Sequence, residues 1–228
     1  MTQPSGGRKL KKNLEALLLS EPFDMALKGL SNWPARQSIN GLISFFCSLN
    51  ILLKWRAVSA TGHVVSHLAE ARPEEARVLM RRLMWMLNEE SGGIGWGVPE
   101  AMGDIMAGSD TLAGEYSRIL LSYLDESGNF LEYEPIQNGV LWGIQRLARI
   151  RPDRMKNAPG HTRPFLDSPD PEKRGLACLI AGYVTDRPST NRLIELTGDA
   201  TPISFYADGY IHDTSVGNLA EEARHLLS

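Results

Sequence analysis

The sequence predicts an all-α protein, a right-handed solenoid of paired helices with one small β-hairpin near its C-terminus. Three observations support this class. A phrase of about nine residues recurs at positions 54–62, 94–103, 139–149 and 173–182. Apolar residues recur every three or four positions between proline and glycine breaks, as in amphipathic helices. Residues 203–214 instead alternate in polarity about an Asp-Gly pair, which is typical of a hairpin with a two-residue turn.

The recurring phrase gives the chain a repeat period. Two alignment columns define it: the first holds Trp55, Trp96, Trp142 and Gly175, and the second, seven positions later, holds Gly62, Gly103, Arg149 and Gly182. Successive copies are 41, 46 and 33 residues apart. These intervals lie in and around the range of two-helix solenoid repeats. We therefore expect an elongated body without a single central core.

Composition excludes several classes of protein. A net charge of −3 and a pI near 6.0 give no overall attraction to nucleic acid or to anionic membranes. The chain shows neither a signal peptide nor an apolar run of about 18 residues, so we expect a cytoplasmic protein without membrane contact. Cys47 and Cys178 lie in apolar helical patterns, which favours reduced core thiols over a disulfide or a metal site.

Proline and glycine breaks divide the first half of the chain into helices. Leu10, Leu14 and Leu17 share one face of a first amphipathic helix. Pro22 is expected in the first turn of the second helix, where its missing N–H costs little. The other expected boundaries are a stop at residues 32–34, a third helix to about Asn50, a fourth near residues 52–70, a fifth from Pro73, and a sixth from about Trp96 to Gly108.

The second half continues the pattern and then changes. Ser109 is expected to cap the seventh helix, and the eighth is expected over residues 135–150. Residues 151–169 are proline-rich and leave room for only a short helix. Asp170 and Pro171 are a suitable N-cap and first position for the helix of the fourth copy. A short helix, the hairpin and a last helix complete the chain.

The hairpin is predicted to pack as a cap. Its pattern places Ile203, Phe205, Tyr210 and His212 on one face. An isolated hairpin is marginally stable in water, so this face is expected to lie against the last helical pair. The predicted organisation is a disordered tail at 1–7 and one solenoid domain at 8–228, comprising capping helices at 8–38, repeats at 39–187 and a C-terminal cap at 188–228 with the hairpin at 203–214.

The fourth copy resembles the second helix of a HEAT repeat. The residues that carry the resemblance are Asp170, Pro171, Arg174, Ala177, Ala181 and Gly182, with a looser copy at residues 55–62. Over residues 42–185 the chain is similar to short bacterial HEAT-like repeats labelled after phycobilin lyases, and the phrase NEESGGIGWGVPEAMG resembles one bacterial branch of them. The resemblance implies a HEAT/armadillo-like α-solenoid. It does not imply lyase activity, because no chromophore-handling residue can be matched. Gly97 and Gly143 depart from the pattern, since they replace an expected arginine.

The same resemblance implies where a binding surface would lie. The second helix of each pair should line a concave groove, and the two acidic glycine-bearing loops should lie along one rim. Trp96 and Trp142 are then either core residues or partly exposed contacts. The candidate groove and rim residues are Trp55, Glu89, Glu90, Trp96, Glu100, Glu132, Glu134, Trp142 and Arg146.

Charge is distributed unevenly along the solenoid. Residues 89–134 hold ten acids against one base, and residues 146–163 hold six bases against one acid. Helix dipoles alone can account for such a pattern. The functional interpretation is a groove whose acidic rim binds a basic protein or peptide. Arg149, Arg151 and Arg154 form a basic patch. Because of this patch, the alternative is an enzyme or a nucleic-acid-acting protein.

Other kinds of site have weaker support. His63 and His67 are spaced as metal ligands on a helix, but no third ligand is evident. Glu89, Glu90, Glu132 and Glu134 are a weak candidate for a hard-cation site.

Enzymatic sites also have little support. Trp96 and Asp104 invite comparison with HEAT-like DNA glycosylases, although their acidic surroundings oppose phosphate binding. No nucleophile or phosphate-loop motif is present. We therefore expect a non-enzymatic binding protein that uses no cofactor and no metal.

Overall fold

The computed structural model of the protein describes residues 7–88 and 95–227. Within these ranges the helices are α1 (Gly7–Leu18), α2 (Phe23–Leu30), α3 (Ala35–Ile43), α4 (Ile51–Ala71), α5 (Pro73–Leu87), α6 (Val98–Gly108), α7 (Asp110–Ser122), α8 (Glu134–Ile150), α9 (Ala158–Thr162), α10 (Pro171–Tyr183), α11 (Thr190–Leu196) and α12 (Val216–Leu227). Strands β1 (Pro202–Ala207) and β2 (Tyr210–Ser215) form the hairpin, and short 3₁₀ turns occupy Pro152–Met155, Arg163–Asp167 and Arg187–Ser189.

The helices form the predicted solenoid. Helices α4, α6, α8, α10 and α12 pack side by side in chain order, and α5, α7 and α11 pack against this row as the outer members of each pair. Between α8 and α10 the outer position is filled by α9 and two 3₁₀ turns, which accounts for the irregular, proline-rich sequence there. Helices α1, α2 and α3 all contact α4 and cover the first end of the row. The all-α, HEAT/armadillo-like class is confirmed.

Glycines of the repeat phrase set the spacing of the row. A Cβ atom built on Gly103 of α6 would lie 2.3 Å from the Cα of Gly143 on α8. One built on Gly143 would lie 2.6 Å from the carbonyl oxygen of Pro99, and one on Gly62 would lie 2.9 Å from the Cβ of Asp104. An arginine cannot replace Gly143 because the two helix backbones touch there.

Two helix boundaries differ from the prediction. Helix α6 begins at Val98 rather than near Trp96, because Gly95 and Gly97 have φ angles of 62° and 73° that interrupt a right-handed helix. Helix α3 ends at Ile43 rather than near Asn50. The next residue, Ser44, lies in a turn, and its hydroxyl donates to the backbone carbonyl of Gly41. The predicted caps at Ser109 and Asp170 are confirmed, since each accepts a backbone N–H of the following helix.

That early end of α3 also changes the environment of one cysteine. Phe45 and Phe46 turn into the core, and Cys47 is exposed, so its prediction as a core thiol was wrong. Cys178 is buried as expected, and burial raises the pKa of its thiol to about 12. None of the helices in the two described ranges is both long and apolar enough to cross a bilayer.

The hairpin has the predicted turn but a different packing. Asp208 and Gly209 have φ angles of 51° and 93°, as a type I′ turn requires. Tyr210 and His212 were predicted on the packed face and are exposed, whereas Tyr206 of the opposite face is buried. The physical reason is that the hairpin contacts α10 and α12 at its base but extends across the row of helices to the N-terminal end.

Candidate functional site

The residues of α4, α6 and α8 that line two cavities lie along one face of these helices, which is called the groove. Residues four apart share a helix face, so Trp55 and Ser59 of α4 lie on it, as do Glu100 and Asp104 of α6. Two cavities open along the groove. The smaller, of about 250 Å³, is called the Trp–Glu pocket and is lined by Lys54, Trp55, Trp96, Glu100, Pro135, Ile136, Asn138, Gly139 and Glu172. The larger, of about 420 Å³, is called the Asp–Arg cavity and includes His63, His67, Asp104, Arg146 and Tyr206.

Strand β1 crosses the groove between the two cavities. The ring of Tyr206 stacks on Trp55 with centroids 5.0 Å apart and planes 10° from parallel. The indole N–H of Trp142 donates to the carbonyl oxygen of Tyr206 at 3.1 Å, and the Tyr206 hydroxyl lies 3.0 Å from the Ser59 hydroxyl. Trp142 is only 4% exposed and is therefore a core residue, which resolves the alternative that the sequence left open.

The hairpin tip is held by Arg56, whose side chain is wholly buried. Its Nε donates to the carbonyl of Gly209 at 2.9 Å, and Nη1 donates to the carbonyl of Leu18 at 3.0 Å. Nη2 pairs with Glu21, which also accepts from the Tyr210 hydroxyl at 2.9 Å. These hydrogen bonds, first that of Arg56, lower the pKa of the Glu21 carboxyl. Arg56 thus connects the N-terminal helices, α4 and the hairpin.

The Trp–Glu pocket surrounds a buried carboxylate with aromatic rings. Glu100 is 4% exposed, and its Oε2 has no hydrogen-bond partner in the described structure. The Lys54 ammonium lies 3.7 Å from the other oxygen, Oε1, and 5.3 and 5.9 Å from the ring centroids of Trp55 and Trp96. Tyr133, which is half exposed, packs edge-on against Trp96.

The electrostatics of this pocket favour a further positive charge. Burial raises the pKa of Glu100, and the Lys54 charge offsets this only in part. Burial also raises the pKa of Glu172, although Asn138 donates to it at 2.9 Å. The side-chain oxygen of Asn138 has no donor. Two carboxylates therefore face one ammonium, and two acceptor oxygens have no partner.

The buried carboxylate of the Asp–Arg cavity has a guanidinium partner. Arg146 donates through Nε to the buried carboxylate of Asp104. Burial raises the pKa of Asp104 against the opposing effect of Arg146, and the Asp104 charge in turn raises the pKa of Arg146 despite its burial. Arg146, a predicted groove residue, therefore already has a carboxylate partner.

The histidine pair lies in the same cavity and is engaged within the protein. His63 Nε2 lies 2.9 Å from the Ser31 hydroxyl, and His67 Nδ1 lies 2.7 Å from the His63 carbonyl. Burial, and then the charge of His67, lower the pKa of His63. Nowhere in residues 7–88 and 95–227 do three His, Cys, Asp or Glu side chains group as metal ligands.

The predicted rim residues do not all meet in one place. Trp55, Trp96 and Glu100 meet in the Trp–Glu pocket. Glu132 is exposed, and Glu134 lies 3.4 Å from the ammonium of Lys173. Glu89 and Glu90 lie outside the described residues, so the acidic rim and the proposed four-glutamate cation site are not defined by the structure.

The predicted basic patch is internally paired. Arg149 binds Asp208 at 3.0 Å, and both Arg151 and Arg154 bind Asp110, at 3.3 and 2.7 Å. Hydrogen bonding to Arg154, above all, lowers the pKa of Asp110. The patch therefore does not present three unpaired cations to a phosphate backbone.

Several residues of the groove were missed by the sequence analysis. Lys54 adjoins Trp55 in the repeat phrase, and Asn138 lies four positions before Trp142, so helical spacing was a usable signal for both. Glu172 is in the first turn of α10, where an acid is expected for the helix dipole alone. No sequence signal indicates that Tyr206 enters the groove or that Arg56 holds the hairpin tip.

Comparisons with solved structures agree with the fold. An engineered protein superimposes with a TM-score of 0.52 at 16% identity over 96% of both chains. A designed armadillo repeat protein gives a TM-score of 0.50 at 16% identity, and another, solved in complex with a (KR)4 peptide, gives 0.53 at 15%; each match covers 96% of this chain and 100% of the designed one. No protein-family model matches the chain, and no curated protein does. The resemblance to repeats with the phycobilin-lyase label therefore rests on its motif residues alone.

Proposed function

We propose that the protein binds a basic segment of another protein or peptide in its groove, with the Trp–Glu pocket as the main contact. One observation carries this proposal: the buried carboxylate of Glu100 has an unpartnered oxygen, Oε2, beside Gly139 in a pocket that Trp55 and Trp96 also line. A buried acceptor without a donor is unfavourable and is rare in folded proteins. A ligand that donates hydrogen bonds and carries positive charge satisfies it.

The size and chemistry of the pocket fit a single lysine or arginine side chain. Its volume of about 250 Å³ is below the range of roughly 300–1,000 Å³ that is usual for small-molecule sites. The faces of Trp55 and Trp96 attract cations, as Lys54 already demonstrates. Charge-assisted hydrogen bonds to Glu100 and Glu172 then offset the desolvation of the incoming group.

The exposed side chains around the pocket support a protein partner. Tyr133 is half exposed beside Trp96, and Glu132 and Glu134 are exposed next to it in the chain. This aromatic ring and the two carboxylates beside it can contact the partner's residues that neighbour its bound basic side chain. A designed armadillo protein of similar fold was solved with a (KR)4 peptide, which is a coarse parallel for such a partner.

The alternative of a nucleic-acid-acting protein has less support. Its candidate contacts, Arg149, Arg151 and Arg154, are each paired with an aspartate. Nucleic-acid binding would require these pairs to break, with little net gain of positive charge on the surface.

Fluorescence polarisation with a labelled (KR)4 peptide tests the proposal. We expect Glu100→Gln and Trp96→Ala each to weaken binding by about tenfold or more, since each removes at least ~1.4 kcal/mol of interaction. Trp85→Ala is the matched control, because Trp85 is 68% exposed on α5, away from the groove, and its loss should leave binding unchanged.

Two results would contradict the proposal. One is no measurable binding of (KR)4 by the wild-type chain even at low salt, where electrostatic attraction is strongest. The other is equal weakening by all three variants, which would indicate non-specific attraction rather than a pocket.

A further inference from the structure

Strand β1 lies in the groove much as an extended ligand would. It inserts one aromatic ring, that of Tyr206, against Trp55 and beside Trp142. It also offers a backbone carbonyl to the indole of Trp142 and a hydroxyl to Ser59. These contacts use one backbone carbonyl and one tyrosine side chain. Any extended segment that contains a tyrosine can present both groups.

The hairpin is held at its base and, at its tip, by a few side-chain contacts with Arg56, Arg149 and Glu21. At the base, Val216 donates to the carbonyl of Thr201, and Asp199 is bound by Arg174 at 2.7 Å. Of its strand and turn residues only Ile203, Tyr206 and Gly209 are buried. A segment with so few buried side chains is expected to open locally at a lower free energy than the helices beneath it.

Opening breaks a limited set of contacts, namely those of Tyr206 with Trp142 and Ser59 and those of the tip with Arg56, Arg149 and Glu21. If the tip lifts, Arg56 loses its hydrogen bond to Gly209 but keeps those to Leu18, Ser20 and Glu21. The N-terminal helices therefore remain attached to α4. The surfaces that opening exposes are the rings of Trp55 and Trp142, together with the hydroxyl of Ser59.

We propose that the hairpin is an internal ligand of the groove, and that a partner segment displaces it by packing its own aromatic side chain against Trp55 and Trp142 in the place of Tyr206. Trp55 contributes to both this site and the Trp–Glu pocket, so the partner carries an aromatic residue near its basic one. This inference rests on the proposed function for the identity of the partner. The displaced hairpin acts as a competitor, and the apparent affinity falls in proportion to the fraction of molecules in which it is open.

Hydrogen exchange on the 228-residue chain tests whether the hairpin opens. We expect the amides of residues 203–214 to exchange faster than those at the centres of α4 and α8. The double variant Asp208→Asn with Tyr210→Phe should accelerate hairpin exchange alone, because it removes the ion pair to Arg149 and the hydrogen bond to Glu21 at the exposed tip. Asparagine also tolerates the positive φ of position 208.

Peptide titrations test the displacement. The probes are the (KR)4 peptide with one central residue replaced by tyrosine and the same peptide with alanine there. We expect the tyrosine peptide to bind more tightly than the alanine peptide and to remove the exchange protection of the hairpin. The double variant should bind the tyrosine peptide roughly fivefold more tightly than the wild type does. Binding of the alanine peptide should change little in the variant.

The outcomes separate this inference from the proposed function. Binding of both peptides with equal affinity and an undisturbed hairpin would overturn the displacement and leave the function standing. Binding of neither would refute the function and the displacement together. Exchange of the hairpin only at the rate of global unfolding would show it to be a fixed part of the fold, and would overturn the inference whatever the peptides do.

Discussion

Glu100 and Asp104 are one turn apart on α6, and both carboxylates are buried in the groove. Asp104 has a guanidinium partner in Arg146, whereas Glu100 has only Lys54 at 3.7 Å and one oxygen with no partner. Unsatisfied buried charge reduces stability. Of these two carboxylates, the one with fewer partners inside the protein is therefore the one that we assign to binding.

The raised pKa of Glu100 predicts a pH-dependent effect of Glu100→Gln on stability. Below the ordinary glutamate pKa of 4.5 both the folded and unfolded wild-type chains hold the proton, so no stability is lost. As pH rises, the unfolded chain releases the proton first, and the wild type loses stability until the folded-state pKa is passed. Glutamine does not titrate. The variant should therefore gain in urea midpoint relative to the wild type between pH 4 and pH 8.

Glu115→Gln is the control of opposite sign. Hydrogen bonding to Arg77 lowers the pKa of Glu115, so its carboxylate stabilises the fold above pH 4.5 and this contribution is lost in acid. Its variant should be the less stable one at neutral pH, with the difference vanishing as pH falls. If the difference in stability between Glu100→Gln and the wild type narrows with rising pH, burial does not raise the pKa of Glu100.

At the scale of elements, the contact between α6 and α8 depends on two glycines. The backbones touch at Gly103 and Gly143, and Glu100 and Asp104 flank this contact on the same helix. The close approach places α6 carboxylates against α8, where Asn138 and Arg146 lie. The contact between the two glycines therefore determines both how closely α6 and α8 pack and which side chains of the two helices meet in the cavities.

Gly103→Ala should destabilise the protein by about 2–4 kcal/mol, although alanine is the better helix former. Its Cβ would lie 2.3 Å from a backbone atom, so one helix must move. Gly114→Ala on α7 is the matched control, because its Cβ would meet only the end of the Arg154 side chain at 3.6 Å. That variant should be neutral or stabilising in chemical denaturation. Equal losses in both variants would show that the close contact is not needed.

At the scale of the whole molecule, the hairpin connects the two ends of the solenoid. Repeats in a solenoid normally contact only their neighbours. Here Tyr210 bonds to Glu21 across 189 positions of sequence, and Arg56 bonds to Leu18 and to Gly209. These bonds join the N-terminal helices and the hairpin through Arg56, so loss of the Arg56 side chain is expected to loosen both.

Arg56→Met should therefore lower the free energy of unfolding by about 3–5 kcal/mol, because it leaves several buried carbonyls without a donor. It should also increase hydrogen exchange in α1, α2 and the hairpin together, while α10 and α12 stay protected. Arg72→Met is the control, since the ion pair of Arg72 with Glu75 is exposed to solvent and contributes little. Faster exchange in only one of the two ends would contradict a shared connection through Arg56.

The sequence by itself determined the secondary structure and the repeat. Apolar periodicity and capping residues such as Ser109 and Asp170 act over a few positions, and the Asp-Gly turn needs only its own φ angles. The glycine columns were visible as a pattern, but their role as backbone contacts was not. Trp96 was placed within a helix because the sequence pattern does not reveal the sign of φ at Gly95 and Gly97.

Only the tertiary structure decided which residues share the groove. Trp55, Trp96 and Trp142 are equivalent in the repeat, yet Trp142 is core, Trp55 contacts both the pocket and the hairpin, and Trp96 contacts the half-exposed Tyr133. The difference arises because strand β1 passes over one part of the row and leaves another open. The path of a hairpin depends on long-range contacts such as that of Arg56 with Gly209, and no local periodicity encodes them.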